Sequence, residues 1–339
     1  MSTIDIAALS GPLSPESPCG DDLEYDPLFG EMERASQGKP EQEIGDTKVA
    51  AEDPDWKELK AKSIAVLQRS RDLRAAVYLT RALAHTDGFA GFADGLELIK
   101  NLLEQHWEKL YPLLDPDDDN DPTMRVNAIA SLVDADTSVR AVRTVPLVRS
   151  RALGQFSLRD IEIANGDAHP EAGTQPVEMS VIEGAFQDCD LEELKGTAEA
   201  AVRAADLFAG VDAFLLTAVG TMHAPDLTPL PPVLARIKAV LGEQLQRRGV
   251  ADAALVGEAA AAEAGGAPAA LTGEINSRED VIRALDKICD YFNRYEPSSP
   301  VPLLAKRAKK LVSKSFLEIL RDMAPGGVHE AESIRGPEE

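Results

Sequence analysis

From residue 53 to about residue 135, apolar positions recur with a helical period. Trp56, Leu59, Val66 and Leu67 fall on one face of a first helix, with Asp53-Pro54 as its opening cap. Leu73, Ala76, Val77, Leu83 and Ala84 form a second stripe, closed by Gly88. Phe92, Leu96, Ile99, Leu103 and Leu110 form a third, stopped by Pro112. Asp121-Pro122 opens a fourth helix with Met124, Ile129, Leu132 and Val133 inside. Amphipathic helices on short connections predict a compact helical domain.

The flanks read differently. Residues 1–50 are rich in proline, glycine and acid. Asp26-Pro27 predicts one short helix there, with Asp26 as N-cap and the proline in the first helical position. The rest of that segment reads as extended. Within 143–165, the stretches TVPLV and FSLRDIEI are rich in β-branched residues and predict a small hairpin. Helical signal returns at 178–190 and runs on as an alanine-rich segment from 191 to 222. Pro231-Pro232 then opens another helix. Residues 249–273 carry almost no large side chains. Such a segment cannot bury enough apolar surface to offset its ordering entropy, so it reads as a flexible linker.

A small unit follows. Ser277 caps a helix burying Val281, Leu285, Ile288 and Phe292. Glu296-Pro297-Ser298-Ser299-Pro300-Val301-Pro302 breaks it, and Ser299-Pro300 starts another that runs to about Asp322. Leu304, Ala308, Leu311, Ser315 and Ile319 lie on one side of that last helix. Lys306, Arg307, Lys310 and Lys314 lie on another. Two such helices make too small a core to stand alone, which points to self-association. Ile282, Tyr291, Leu303, Phe316 and Leu320 lie outside the main stripes. With Phe292, Glu296, Pro297, Ser298, Ser299 and Pro300 they form the candidate oligomer interface. The expected fold is mainly α. An extended acidic, proline-rich 1–50 segment leads into a helical domain at 51–165, and a helical middle region at 166–248 follows, with a small β-hairpin. A linker at 249–274, a helical oligomerisation domain at 275–325 and a disordered tail at 326–339 complete the map.

Composition narrows the function. The formal net charge of -23 over 339 residues disfavours nucleic acid and anionic membrane surfaces as partners. Cys19, Cys189 and Cys289 are far apart and odd in number, which fits a reducing compartment. The first residues lack a basic leader pattern. No apolar run reaches the roughly 18 residues of a membrane span. The expectation is a soluble cytoplasmic protein without direct membrane insertion.

Catalytic templates fail. Neither a phosphate loop nor a nucleophile elbow is present. Gly88, Gly91 and Gly95 have the wrong spacing for a nucleotide loop and no preceding strand. The five histidines are dispersed. Asp115, Asp117 and Asp119 resemble the start of a calcium loop, but Asn120 stands where glycine is needed and Val126 where a bidentate glutamate is needed. Trp56 and Trp107 read as core. The expectation is no catalytic residue, no cofactor and no metal. The basic stripe Lys306, Arg307, Lys310 and Lys314 reads either as a solvated face or as a surface for an acidic partner, the chain's own acidic N-terminal half included.

Several motifs carry a resemblance. Gly20-Asp21-Asp22-Leu23-Glu24-Tyr25-Asp26, Asp55-Trp56, Ser70-Arg71-Asp72-Leu73-Arg74, the Gly88 to Gly95 turn and Trp107-Glu108-Lys109-Leu110-Tyr111-Pro112 resemble, in order and spacing, the ImpA-type N-terminal domain. That domain is the hallmark of the TssA family of the bacterial type VI secretion system. The match covers roughly residues 10–135, with Arg71 where lysine is expected. Ser277-Arg278, Tyr291-Phe292 and Glu296 to Pro302 resemble the C-terminal domain of the shorter TssA class. The resemblance implies a non-enzymatic organiser of a contractile tail that forms a ring through its C-terminal domain. Its partners would be baseplate, inner tube, sheath and membrane-complex proteins. Two other readings stay open on the residues alone: a helical adaptor or chaperone for one protein partner, and an enzyme with an unrecognised carboxylate site.

Overall fold

A computed structural model of the protein describes residues 2–38, 42–44, 47–49, 53–115, 117–118, 120–170 and 175–250, with Leu285, Cys289, Val301, Leu304, Lys306, Arg307 and Lys309. The chain divides into two compact units, Met1–Gly257 and Glu258–Glu339. In the second, the seven described residues are helical and Cys289 is buried. The expected linker beyond residue 250, the Ser277 cap and the proline break from Glu296 to Pro300 lie outside the described residues.

The first unit is mainly helical, as its pattern predicts. Helix α1 (Ile6–Ser10) lies in a stretch expected to be extended; the Asp5 carboxylate caps it by accepting Ala8 N–H at 3.0 Å. Helix α2 (Pro27–Ala35) starts at Pro27, and the Asp26 carboxylate accepts the Leu28 N–H at 2.9 Å, as expected. Strands β1 (Gln42–Ile44) and β2 (Thr47–Val49) pair antiparallel, with Ile44 opposite Thr47. Helix α3 (Trp56–Leu67) is capped by Asp55 rather than Asp53. Only Asp55 stands where a carboxylate reaches the first free N–H groups, those of Lys57 and Glu58, each at 3.0 Å.

Helix α4 (Leu73–His106) contains the second and third stripes. Gly88 interrupts it at φ 68 and ψ −150, a conformation open to glycine and costly for other residues. The two halves fold back on one another there. A Cβ on Gly95 would lie 2.5 Å from Thr80 Oγ1 and 2.8 Å from Thr80 Cα, and one on Gly91 would lie 2.6 Å from the Leu83 carbonyl. The spaced glycines are therefore the seam of a helical hairpin. Leu73, Ala76, Val77, Leu83, Ala84, Phe92, Leu96, Ile99 and Leu103 are all buried. The helix stops at His106, short of Pro112, and Leu110 is buried in the loop that follows.

Helix α5 (Thr123–Ala130) buries Ile129 as expected, and Leu132 and Val133 just beyond it are buried too. Met124 is 53% exposed, and Arg125 lies inside with Ile129. A 3-10 turn (Ser131–Val133), a π turn (Ala135–Val139) and helix α6 (Arg140–Thr144) lead to the hairpin of β3 (Pro146–Ser150) and β4 (Gly154–Ser157). Val148 faces Phe156 across that antiparallel pair. The second strand is shorter than expected, because FSLRDIEI turns helical after Ser157. Helix α7 (Leu158–Asn165) opens with a capping box in which Ser157 N–H donates to Asp160 at 2.8 Å and Asp160 N–H to Ser157 Oγ at 3.4 Å. Two satisfied donors outweigh the β preference of Ile161 and Ile163.

Helices α8 (Met179–Asp188), α9 (Leu191–Val219) and α10 (Leu230–Arg247) follow the sequence pattern, and Pro231 and Pro232 sit in the first turn of α10. One apolar cluster runs from Leu9 through the α4 hairpin to Leu215 and Leu245. Residues assigned to the first domain and to the middle region thus share a core. Asp94 of α4 joins them. Its carboxylate accepts from Ser2, Thr3 and Arg203, the last at 2.8 Å.

Candidate functional site

Three separated segments meet where the motif residues lie. Gly20 bridges to Ser70, and Asp72 bridges to Tyr111. Arg71 N–H donates to the Cys19 carbonyl at 2.7 Å, Tyr111 N–H to the Arg71 carbonyl at 3.0 Å, and Leu73 N–H to the Tyr111 carbonyl at 2.8 Å. Gly20 has φ 74, and a Cβ there would sit 2.1 Å from the Arg69 carbonyl oxygen, so no side chain fits. Asp21 N–H donates to that same oxygen at 3.3 Å.

Charge pairs tie the knot from outside. Asp26 meets Arg69 at 2.8 Å, and hydrogen bonds from Leu28 N–H and Arg69 hold its carboxyl below the usual range. Arg74 meets Asp72 at 2.8 Å and Glu24 at 3.1 Å, with its guanidinium 4.5 Å from the Phe29 ring centre. Asp72 also caps α4 by accepting Arg74 N–H at 2.8 Å.

Two buried arginines tie it from inside. Arg71 donates to Gly11 at 2.8 Å, to Ala8 at 2.9 Å and to the Leu67 carbonyl. It thus closes the C-terminal ends of α1 and α3, where free carbonyls and dipoles favour a cation. Arg125 donates to Pro112 at 2.7 Å, to Leu110 at 2.6 Å and to the Trp107 carbonyl, and it lies 4.8 Å from the Trp107 ring centre. Burial lowers its pKa to about 10, which leaves it charged at neutral pH.

The structure brings together Gly20, Asp21, Leu23, Asp26, Asp72, Leu73, Arg74, Tyr111 and Pro112, with Trp107 joined through Arg125. Leu23 and Leu73 are buried. Tyr25 stands apart at 93% exposed. Trp56 stacks on His85 at 3.8 Å, away from the knot. In the C-terminal unit Lys306 and Arg307 are exposed on helix. Ile282, Tyr291, Phe292, Glu296, Pro297, Ser298, Ser299, Pro300, Leu303, Phe316, Leu320, Lys310 and Lys314 lie outside the described residues. Asp94 and Arg125 were missed by sequence reasoning, and Arg71 was noted only as a departure from lysine. A signal existed for Arg125, which shares a helical stripe with Ile129 and Leu132.

The arrangement holds separate backbone segments together. Among the described residues, no three His, Cys, Asp or Glu side chains converge as a metal site. A cavity of about 730 Å³ lies beside Gly88, β3 and α9. Its charges are largely paired, Arg203 with Glu97 and Arg149 with Glu193 at 3.6 Å. Burial pushes the Cys189 thiol at its edge upward, the wrong direction for a nucleophile. Among the described residues no helix is long and apolar enough to cross a membrane.

Comparison with known proteins agrees with this geometry. The ImpA N-terminal family model of the type VI secretion system matches residues 10–134. The type VI secretion system component TssA1 of Pseudomonas aeruginosa is 42% identical over 345 residues, covering 99% of each chain. The solved N-terminal domain of the TssA component from Burkholderia cenocepacia, which includes the conserved ImpA_N region, superposes with a TM-score of 0.60. It is 22% identical and covers 74% of this chain and 97% of that one, a likeness of fold. The chain belongs to the TssA family of type VI secretion system components.

Proposed function

We propose that the protein is a non-catalytic assembly component of a type VI secretion system, acting in the cytoplasm. The observation that carries this is the match to TssA1 along the whole chain. The site geometry supports it, because the motif side chains hydrogen-bond backbone and cap helices instead of converging on a reaction cavity. In this reading the N-terminal unit is a rigid body that contacts baseplate, inner tube, sheath or membrane-complex proteins. Residues 249–274 form the linker, and residues 275–325 form a ring through the interface set that includes Phe316 and Leu320.

The test removes residues 275–339 and measures both particle size and secretion. Sedimentation of the truncated protein as a monomer or small oligomer, with loss of sheath assembly in the producing bacterium, is the expected result. A truncated protein that keeps the full-size complex moves the assembly surface elsewhere, and unchanged secretion removes the assembly role.

A further inference from the structure

Helices α9 and α10 leave an open groove between them, of about 530 Å³. Its floor is apolar: Phe208, Leu227 and Leu234 are buried in it, and Leu216 rises on one wall at 43% exposed. Ala205, Ala209 and Ala235 keep the walls low. Met222, in the loop joining the helices, is 89% exposed. On α9, Asp206, Ala209, Asp212 and Leu216 follow one another along a single face, which makes the trough about 15 Å long at 1.5 Å per residue. That length suits roughly three turns of a docked helix.

Charge decides what kind of helix. Asp206, Asp212 and Asp226 line the trough, and Lys238 is the one basic residue in its lining. Among the described residues, Asp206 and Asp212 have no hydrogen-bond or ion-pair partner, while Asp226 accepts from Thr228 Oγ1 at 2.6 Å. Two other acids of α9 are paired, Glu192 with Lys195 at 2.7 Å and Glu193 with Arg149 at 3.6 Å. Unpaired carboxylates flanking an exposed apolar trough are poor for the free chain and complementary to a cationic partner.

We infer that the α9–α10 groove is a docking site for an amphipathic helix of a partner protein, with apolar anchors at i, i+3, i+4 and i+7 and lysine or arginine on its flanks. Leucine-sized anchors fill the trough over Phe208 and Leu234, and the flanking cations meet Asp206 and Asp212. The inference rests on the groove alone, and its test on purified protein succeeds or fails independently of the secretion reading.

The probe is a synthetic helical peptide of about 18 residues with that leucine spacing and lysine flanks, beside twins with glutamate flanks or scrambled leucines. Binding to the full-length protein is read by fluorescence anisotropy. The lysine peptide is expected to bind at least about tenfold more tightly than either twin. Leu216→Glu should weaken it about tenfold by placing an unpaired charge in the trough, and Asp206→Asn with Asp212→Asn several-fold. If Leu216→Glu lowers the melting temperature, Ala209→Gln, at another exposed wall position, serves instead. Hydrogen exchange should slow at 206–216 and 227–238 when the lysine peptide is added. Three results overturn the inference: no peptide binds, binding ignores the groove variants, or the same variants abolish self-association of the protein, which would make a second copy the occupant.

Discussion

The motif knot and the α9–α10 limb handle polar groups in opposite ways. At the knot, Arg71 and Arg125 are buried, and each donates three hydrogen bonds to main-chain carbonyls. On the limb, alanine and leucine make the contacts, and charged groups such as Asp206 and Asp212 are left for solvent. The knot is thus built for rigidity. The limb is held mainly by shape, with the Arg203–Asp94 pair as a polar tie and surface left over for other molecules.

Breaking the knot should have the largest effect. Arg125→Met removes a fully buried cation and orphans three carbonyls, so unfolding in denaturant should show a loss of about 3–5 kcal/mol. Lys238→Ala on the limb, by contrast, should stay within about 0.5 kcal/mol. Equal losses would end the contrast between the regions.

The hairpin seam comes next. Gly95→Ala forces a Cβ against Thr80 and should cost about 1–3 kcal/mol. Adding Thr80→Ala should recover only part of this, because the clash includes Thr80 Cα at 2.8 Å. Full recovery would show that the helices separate easily.

Asp94 tests how the limb is fastened. Burial alone would raise its pKa, but hydrogen bonds from Thr3, Arg203 and Ser2 hold it below the usual carboxylate range. Its contribution is therefore complete above the unfolded value of about 3.9 and is lost as pH falls through the lower folded value. Asp94→Asn should cost about 1–2 kcal/mol at neutral pH and flatten acid unfolding in that range. Unchanged acid unfolding would show that the apolar contact between α4 and α9 and the Arg203–Glu97 pair hold the limb without Asp94.

The smallest effect belongs to His85. Trp56 covers one face of the ring, and this partial burial lowers its pKa to about 4. The sign is that stability is complete above about 6.5 and falls as pH drops toward the folded value. His85→Gln should remove that slope between about pH 6.5 and 4, modestly, since the ring keeps an open edge. A steeper slope in the variant contradicts the assignment.

Much of the helical frame was legible because its stripes were long and its cap at Asp26 local. The family motifs were legible as strings, but their roles were not. A charged side chain in a periodic pattern reads as solvated, and only the tertiary fold shows that Arg125 meets Trp107, Leu110 and Pro112. The Gly88–Gly95 spacing fits no nucleotide loop. Its use as a seam depends on which helix lies opposite. In FSLRDIEI the β-branched content is the louder signal along the string, and the Ser157–Asp160 box decides for helix.

The reversal at Gly88 has a consequence for the order of folding. Gly91 meets Leu83 and Gly95 meets Thr80, partners close in sequence, so the α4 hairpin closes a short loop and can form early. The Arg203–Asp94 pair spans 109 residues and must wait for the chain between them. Refolding should therefore protect the amides of the α4 hairpin first and those of α9 last, leaving a transient species whose exposed hairpin face is the chain's most vulnerable moment for misassociation.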